Sequence, residues 1–134
     1  MSGQDVCEIL KQSQLIAVVG ISSNPNRTSR NIAEYLRNNG FRLVGVNPNT
    51  NFKDANGIKV FNSLSEIDEP IDIVNVFRKS NDIPLLIDDV LKVKPKVLWL
   101  QLGIKNNEAV APVIKEGIET IQNMCIKVEH SYCF

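Results

Sequence analysis

Hydrophobic residues occur along this chain in two patterns, short continuous runs and longer stretches at helical spacing. The continuous runs indicate strands covered on both faces, and they lie at residues 15–19, 41–46, 71–77, 96–102 and 118–122. The helical stretches lie at residues 3–13, 29–39, 80–93 and 106–116, with a final turn or two near 124–132. Such alternation implies parallel strands joined by right-handed crossovers. The pattern predicts an α/β fold: a Rossmann-like, doubly wound, parallel five-stranded sheet in the order 3-2-1-4-5, within three α/β/α layers.

The segment between the second and third predicted strands carries weaker signals. Residues 50–57 are polar and rich in turn-forming types, and residues 59–61 are interpreted as a short extension. Ser63 precedes Glu66 by three residues, which is the spacing of a capping box. A brief helix is therefore predicted to begin at Ser63 and to end at Pro70.

Length and composition narrow the class of protein. At 134 residues the chain is expected to form one domain, residues 1–134. Fifteen basic and fifteen acidic side chains cancel, which argues against a nucleic-acid partner. No apolar stretch reaches the roughly 20 residues that span a bilayer, and the polar start does not resemble a secretory leader. Cys7, Cys125 and Cys133 show no paired spacing, so reduced thiols in a cytoplasmic protein are expected.

The loop after the first strand has the layout of an anion site. The apolar run 15–19 ends on Gly20, a polar loop follows, and a helix pattern begins just after it. In this layout backbone N–H groups and the positive end of the helix dipole face a phosphate. The later glycine positions of the dinucleotide fingerprint are occupied by Ser22 and Pro25. The layout therefore indicates a phosphate-bearing nucleotide, bound differently from NAD.

Ligands of open parallel sheets bind outside the carboxyl ends of the strands, at the switch in strand order. This rule selects four loops, at residues 20–30, 47–51, 77–80 and 101–105. In the first of them, Gly20 permits a tight turn and close backbone approach. Arg27 offers a fixed charge and a two-pronged donor for phosphate, and Arg30 is an equal candidate. Neutral hydrogen-bonding groups come from Ser22, Ser23, Asn24, Thr28 and Ser29. The alternative is a simple turn in which a hydroxyl side chain caps the helix.

The second loop bears on the choice of cofactor. NAD sites place an acidic residue after the second strand, where it binds the ribose hydroxyls. Here the strand is followed by Asn47 and Pro48, with no carboxylate before Asp54. A carboxylate would repel a phosphorylated ribose, so its absence favours NADP or coenzyme A. The alternative is that Asn-Pro is only a turn signal.

The third and fourth loops add candidate contacts. Phe77 is placed to flank an adenine ring, and Arg78 and Lys79 to meet phosphates; the alternative is a core aromatic followed by two solvated cations. Gly103 lies at another strand end, where a narrow thiol-bearing arm can pass. Trp99 is expected in the core rather than against a ligand.

Together these segments resemble the small stand-alone CoA-binding proteins, whose domain is also the CoA-binding part of the succinyl-CoA synthetase alpha subunit. The resemblance covers roughly residues 13–130. It is carried by Ala17-Val18-Val19-Gly20-Ile21-Ser22, Asn24-Pro25, Arg27-Thr28-Ser29, Val46-Asn47-Pro48-Asn49, Asp72-Ile73-Val74-Asn75-Val76-Phe77-Arg78, Trp99-Leu100-Gln101-Leu102-Gly103 and Cys125-Ile126-Lys127-Val128-Glu129-His130.

The resemblance implies a Rossmann-like domain that binds coenzyme A or an acyl-CoA as a small nucleotide ligand. The predicted site, from the loops and the resemblance together, has no metal ligand and no catalytic residue. It comprises Gly20, Ile21, Ser22, Ser23, Arg27, Ser29, Asn47, Pro48, Val76, Phe77, Arg78, Gln101 and Gly103. In the synthetases the chemistry needs a phosphohistidine domain and an ATP-grasp partner, neither of which is in this chain. Binding without catalysis is therefore the prediction.

Other functions stay open from the sequence alone. An NADP-dependent or CoA-dependent enzyme is one alternative, and a homo-oligomer or a partner enzyme could complete it. A thiol-redox protein that uses Cys125 is another. Cys125 and His130 are the candidate nucleophile and base, but five residues apart they do not share one helix face.

Overall fold

The computed structural model describes residues 5–48 and 52–134, so residues 3 and 4 of the first predicted helix and residues 49–51 of the second loop lie outside it. The strands are β1 Leu15–Val19, β2 Arg42–Val46, β3 Asp54–Ala55, β4 Ile58–Phe61, β5 Ile73–Val76, β6 Val97–Leu100 and β7 Glu119–Ile121. The α-helices are α1 Val6–Gln12, α2 Thr28–Asn38, α3 Ile87–Val93, α4 Asn107–Lys115 and α5 Ile126–Cys133. Two 3₁₀ segments, Leu64–Glu66 and Ser80–Leu86, precede β5 and α3 respectively.

Within the described residues, seven strands form one sheet in the order β3-β4-β2-β1-β5-β6-β7. All neighbouring pairs are parallel except β3 with β4, which is antiparallel. Helices pack on both faces of this sheet. The predicted Rossmann-like α/β class is therefore confirmed.

The predicted five strands and their order 3-2-1-4-5 are wrong. The segment interpreted as an extension is strand β4, which pairs with β2 through Gly45 with Val60 and Val46 with Phe61. The strand predicted third, β5, does not lie beyond β2; it pairs with the other side of β1. The reason is that β4 already occupies the outer side of β2. The chain therefore crosses over the sheet, and β5 pairs with the side of β1 that faces away from β2.

The described residues form two hydrophobic cores, one on each face of the sheet. In β1, Ala17 and Val19 pack with α3 and α4, whereas Ile16 and Val18 pack with α1, α2 and α5. Successive side chains of a strand point to opposite faces, so a strand covered on both sides must be apolar at every position. This explains the continuous hydrophobic runs in the sequence.

Two predicted helix starts have different outcomes. The Asn106 side chain caps α4 by accepting a hydrogen bond from the Ala109 N–H at 3.0 Å, as one of the two predicted candidates. The capping box at Ser63 is wrong, because its side chain makes no cap hydrogen bond. Instead Glu66 Oε1 accepts from the Asn62 N–H at 3.0 Å, and the chain forms only a short 3₁₀ turn.

The expectation of three reduced cysteines is also wrong. Cys7 in α1 and Cys133 in α5 form a disulfide, with their Cα atoms 5.5 Å apart. The two residues are 126 positions apart, so local spacing carries no signal of the pairing. Cys125 has a free thiol and is partly buried.

His130 lies inward on α5, 8% exposed, with its Nδ1 2.8 Å from the Tyr35 hydroxyl. Burial lowers the pKa of this imidazole below its ordinary value of 6.5. The unfolded chain consequently takes up a proton at higher pH than the folded chain, which favours unfolding in acid.

The contribution of His130 to the free energy of unfolding is therefore expected to be complete above pH 6.5. It falls as the pH drops from 6.5 through the lowered pKa. The variant His130→Gln keeps a hydrogen-bonding partner for Tyr35 and removes the titration. Urea unfolding between about pH 7 and pH 5 measures the difference. An identical pH dependence in the two proteins would contradict this assignment.

Candidate functional site

The described parts of the four loops selected from the sequence meet at one edge of the sheet. They follow β1, β2, β5 and β6, which are neighbours in the order β2-β1-β5-β6. All four strands are parallel, so their carboxyl ends lie together. The switch in strand order falls at β1, where the chain continues to β2 on one side and to β5 on the other. This is the position at which open α/β sheets bind ligands.

Gly20 brings the loops after β1 and β5 into contact. Its backbone has φ +90°, and its N–H donates to the Val46 carbonyl at 2.8 Å. A Cβ placed on Gly20 would lie 3.1 Å from the Phe77 carbonyl oxygen and 3.2 Å from Cδ of Arg78. Glycine is needed at this position both for the left-handed backbone and for the close approach.

Replacing Gly20 by alanine is expected to destabilise the fold by more than the same change at Gly117. Gly117 has φ +84°, but a Cβ there would meet no atom within 4 Å. Both variants carry the left-handed backbone penalty of about 1–2 kcal/mol. Only Gly20→Ala adds a close contact with the Phe77 carbonyl, which is expected to cost about 1 kcal/mol more. Equal losses in the free energy of unfolding, measured with urea, would contradict the close approach.

Residues 22–29 are held by their own hydrogen bonds. The Ser22 N–H donates to Oγ of Ser29 at 3.1 Å, and Oγ of Ser22 accepts from the Asn24 N–H at 3.0 Å. The Asn24 side chain in turn accepts from the Asn26 N–H at 2.9 Å. The loop is therefore ordered by these bonds before any ligand arrives. That order reduces the entropy lost on binding.

The two candidate arginines of this loop have different environments. Arg30 is 6% exposed; its Nη1 donates to the Ser23 carbonyl at 2.7 Å and its Nη2 pairs with Glu34 at 2.9 Å. Arg27 is exposed and makes no hydrogen bond or ion pair through its side chain within the described residues. Arg30 thus supports the loop from inside, and the guanidinium of Arg27 is free to meet a ligand.

The amino end of α2 is an unneutralised positive pole. Arg27 occupies the N-cap position without a side-chain cap, and the first turn carries no acidic residue. The first amides of a helix have no acceptor within the helix, and the dipole adds partial positive charge there. These groups border an open cavity of about 420 Å³, here called the polar cavity, lined by Gly20, Ser22, Asn26, Arg27, Thr28, Ser29 and Phe77.

A second cavity of about 270 Å³, here called the apolar cleft, lies at the same edge of the sheet. It is lined by Val19, Val46, Pro48, Asn62, Ser63, Leu64, Arg78, Asp82, Leu85, Leu86 and Asp89. Consecutive residues at two strand ends line the two cavities: Gly20 and Phe77 line the polar cavity, and Val19 and Arg78 line the apolar cleft. Nη2 of Arg78 lies 3.5 Å from the Asp82 carboxylate, so this arginine is oriented on the wall of the apolar cleft.

Several predicted site residues turn their side chains into the protein. Ile21, Val76, Ser29 and Gln101 are buried, so a ligand at this edge would meet chiefly their backbone. Asn47 lies between the loops, and its Nδ2 donates to the Ile21 carbonyl at 2.8 Å. These residues shape the edge of the sheet. Among the predicted site residues, those that line the two cavities and are exposed in whole or in part are Gly20, Ser22, Arg27, Pro48, Phe77 and Arg78.

The loop after β6 is anchored by the segment that leads into α5. Gly103 donates its N–H to Oδ1 of Asn123 at 2.7 Å. Trp99 is fully buried, as predicted, and its Nε1 donates to the Met124 carbonyl at 2.9 Å. Oε1 of Gln101 accepts from the Ile126 N–H at 3.2 Å. Sequence reasoning missed Asn123, whose role depends on a contact across 20 positions of the chain.

Asn75 is a second residue that sequence reasoning missed. The Ile126 N–H can only donate, so Gln101 must present Oε1 to it, and Asn75 then donates its Nδ2 to the same oxygen at 3.3 Å. These two hydrogen bonds fix the side-chain amide of Asn75 so that its Oδ1 points away from Gln101. That oxygen is buried and has no partner among the described residues. An unpaired buried acceptor costs stability, so Asn75 is a polar position of the core beneath the site.

Cys125 and His130 are not brought together as a pair. His130 contacts Tyr35 on α2, and Cys125 occupies the N-cap position at the other end of α5. In the described ranges no group of three or more His, Cys, Asp or Glu side chains could hold a metal ion. None of the helices in those ranges has the length and apolar character needed to cross a membrane.

The sheet order, the two helical layers and the ligand edge at the carboxyl ends of β1 and its neighbours define a Rossmann-like α/β domain. The chain belongs to the CoA-binding domain family, whose model, described as "CoA binding domain", matches residues 14–131. This confirms the resemblance read from the sequence, and family membership supports CoA binding in general.

Relatives of this chain include proteins of its own size. It is 41% identical over 130 residues to the uncharacterized protein YneT of Bacillus subtilis (strain 168), covering 97% of this chain and 95% of YneT. It is similar along 100% of both chains to the structure of cell-free ID.343 from Thermus thermophilus, with 33% identity and a TM-score of 0.94.

A larger protein shares the fold. The dinucleotide-forming acetyl-coenzyme A synthetase 1 of Ca. Korarchaeum cryptofilum, in its apo form, matches 87% of this chain with a TM-score of 0.71 and 22% identity. This chain covers 27% of that synthetase. The likeness concerns the fold of that portion alone.

Proposed function

We propose that this chain binds coenzyme A, or an acyl-CoA, at the carboxyl ends of β1, β2, β5 and β6, without catalysing a reaction of its own. The observation that carries the proposal is the uncapped amino end of α2, which opens onto the polar cavity beside the unpaired Arg27. Membership in the CoA-binding domain family supports the choice of nucleotide.

The diphosphate belongs in the polar cavity. Its charge matches the first-turn amides of α2 and the guanidinium of Arg27, and Ser22 lies on the same wall. Gly20 leaves room for the backbone to approach the phosphates, because it carries no side chain. The hydrogen bonds within residues 22–29 keep these donors in place.

The adenosine part fits the apolar cleft. Val19, Val46 and Leu86 supply apolar walls of the kind that suit an adenine ring. Pro48 follows β2 on the same wall, where an NAD site would carry a carboxylate. Arg78, on the wall of this cleft, is placed to meet the ribose 3′-phosphate or the diphosphate, and its charge offsets the Asp82 carboxylate 3.5 Å away.

The pantetheine arm then leaves past the loop after β6. Gly103 has open space where a side chain would stand, with no atom within 4 Å of an added Cβ. Its N–H is held by Asn123, which fixes the path of the loop. A free thiol or an acyl group would extend beyond this point towards solvent.

Titration calorimetry with coenzyme A, dephospho-coenzyme A and NADPH tests the proposal. Coenzyme A is expected to bind most tightly, dephospho-coenzyme A more weakly because it lacks the 3′-phosphate, and NADPH more weakly because its arm differs beyond the diphosphate. Absence of heat and of any thermal shift at millimolar coenzyme A would contradict the proposal. Tighter binding of NADPH would favour the NADP-dependent alternative.

A further inference from the structure

The disulfide joins the first and last helices of the described chain, away from the ligand edge. Cys7 lies in the first turn of α1, and Cys133 is the last residue of α5. Both cysteines are half-buried, and Glu8 and Tyr132 beside them are exposed. A small reductant can therefore approach the bond from solvent.

Core packing and the disulfide together hold α1 in place. The helix has seven residues, of which Ile9 and Leu10 are buried. A helix of this length is not stable alone, and its order comes from packing. Because the disulfide links it to α5, the bond restrains both helices.

α5 carries the effect towards the ligand edge. Eight helical residues span about 12 Å, from Cys133 back to Ile126. At that far end the Ile126 N–H bonds to Gln101, and the preceding Asn123 bonds to Gly103. The loop that is proposed to guide the pantetheine arm is thus fastened to the same segment that the disulfide secures.

A second connection leads to α2. Nδ1 of His130 on α5 lies 2.8 Å from the hydroxyl oxygen of Tyr35 on α2. Nζ of Lys127 lies 5.1 Å from the centre of the Tyr35 ring. α2 begins at the polar cavity, so a displaced α5 disturbs the helix that is proposed to bind the diphosphate.

We propose that Cys7 and Cys133 form a redox-controlled clamp that tightens the ligand site when oxidised and weakens it when reduced. This inference rests on the proposed function. A dithiol reductant attacks one sulfur, forms a mixed disulfide, and closes its own disulfide. Two electrons and two protons pass to the protein, which then holds two new thiols.

Acetyl-CoA is the suitable probe, since its capped sulfur cannot reduce the protein. Its affinity is measured by calorimetry on the oxidised protein, on the protein reduced with a phosphine, and on Cys7→Ser and Cys133→Ser. The reduced protein and both variants are expected to bind at least about five-fold more weakly. Oxidised Cys125→Ser keeps the clamp and serves as the matched control, with the affinity of the oxidised wild type. Equal affinities in all forms would overturn the clamp.

Two further measurements separate the clamp from the proposed function. A thiol assay on denatured protein should count one thiol before reduction and three after it, and three thiols in the oxidant-treated protein would overturn the clamp. Hydrogen exchange without ligand should show faster exchange of the Gly103 and Ile126 amides after reduction. If no form binds acetyl-CoA or coenzyme A, the proposed function fails. Unchanged exchange at these amides would overturn the clamp independently.

Discussion

Replacing Arg27 by alanine is expected to weaken coenzyme A binding roughly ten- to hundred-fold, because a hydrogen bond between charged groups contributes about 1.5–3 kcal/mol. The guanidinium has no partner within the described residues, so the change removes a ligand contact without breaking an internal one. The fold should therefore keep its stability. Titration calorimetry gives the affinity, and urea unfolding gives the stability.

Arg42→Ala is the matched control, since it removes the same charge at the opposite edge of the sheet. Arg42 begins β2 and pairs with Glu69 at 3.0 Å in a solvent-exposed position. Such surface pairs contribute little, so neither affinity nor stability should change much. A loss of affinity as large in Arg42→Ala as in Arg27→Ala would indicate a general charge effect and contradict a specific contact.

Replacing Trp99 by alanine is expected to lower the free energy of unfolding by about 3–5 kcal/mol. The indole is fully buried in the core shared with α2 and α5, and it donates to the Met124 carbonyl at 2.9 Å. Removing it leaves a large cavity and an unpaired backbone carbonyl. Because the chain has one tryptophan, unfolding of the variant must be followed by circular dichroism rather than by fluorescence.

Trp99→Phe separates the two contributions. Phenylalanine keeps most of the buried apolar area and loses the hydrogen bond, so a smaller loss of about 1–2 kcal/mol is expected. If alanine and phenylalanine cost the same, the hydrogen bond to Met124 rather than the packing would dominate, contrary to this prediction.

The fold class could be predicted from the sequence because buried parallel strands need an apolar side chain at every position. The order of the strands could not. Only two residue pairs join β4 to β2, and Lys59 interrupts its apolar pattern. Such a short outer strand looks like an extension, and once it is missed the following strand is assigned to the wrong side of β1.

Part of the candidate site could likewise be predicted from the sequence. The glycine at the end of β1 and the helix after it identify the anion-binding layout from sequence alone. The choice between Arg27 and Arg30 requires the helix in three dimensions, because α2 turns Arg30 back onto the Ser23 carbonyl. The contact of Asn123 with Gly103 and the pairing of Cys7 with Cys133 join distant positions, which no local pattern records.

Both edge strands of the described sheet are short: β3 has two residues and β7 has three. A border strand exposes unsatisfied amides and carbonyls that can recruit another polypeptide into a growing β-aggregate. Two or three residues offer too brief a template for such recruitment. The molecule is thereby expected to resist fibril formation at high concentration, even though its central strands are among the most apolar segments it contains.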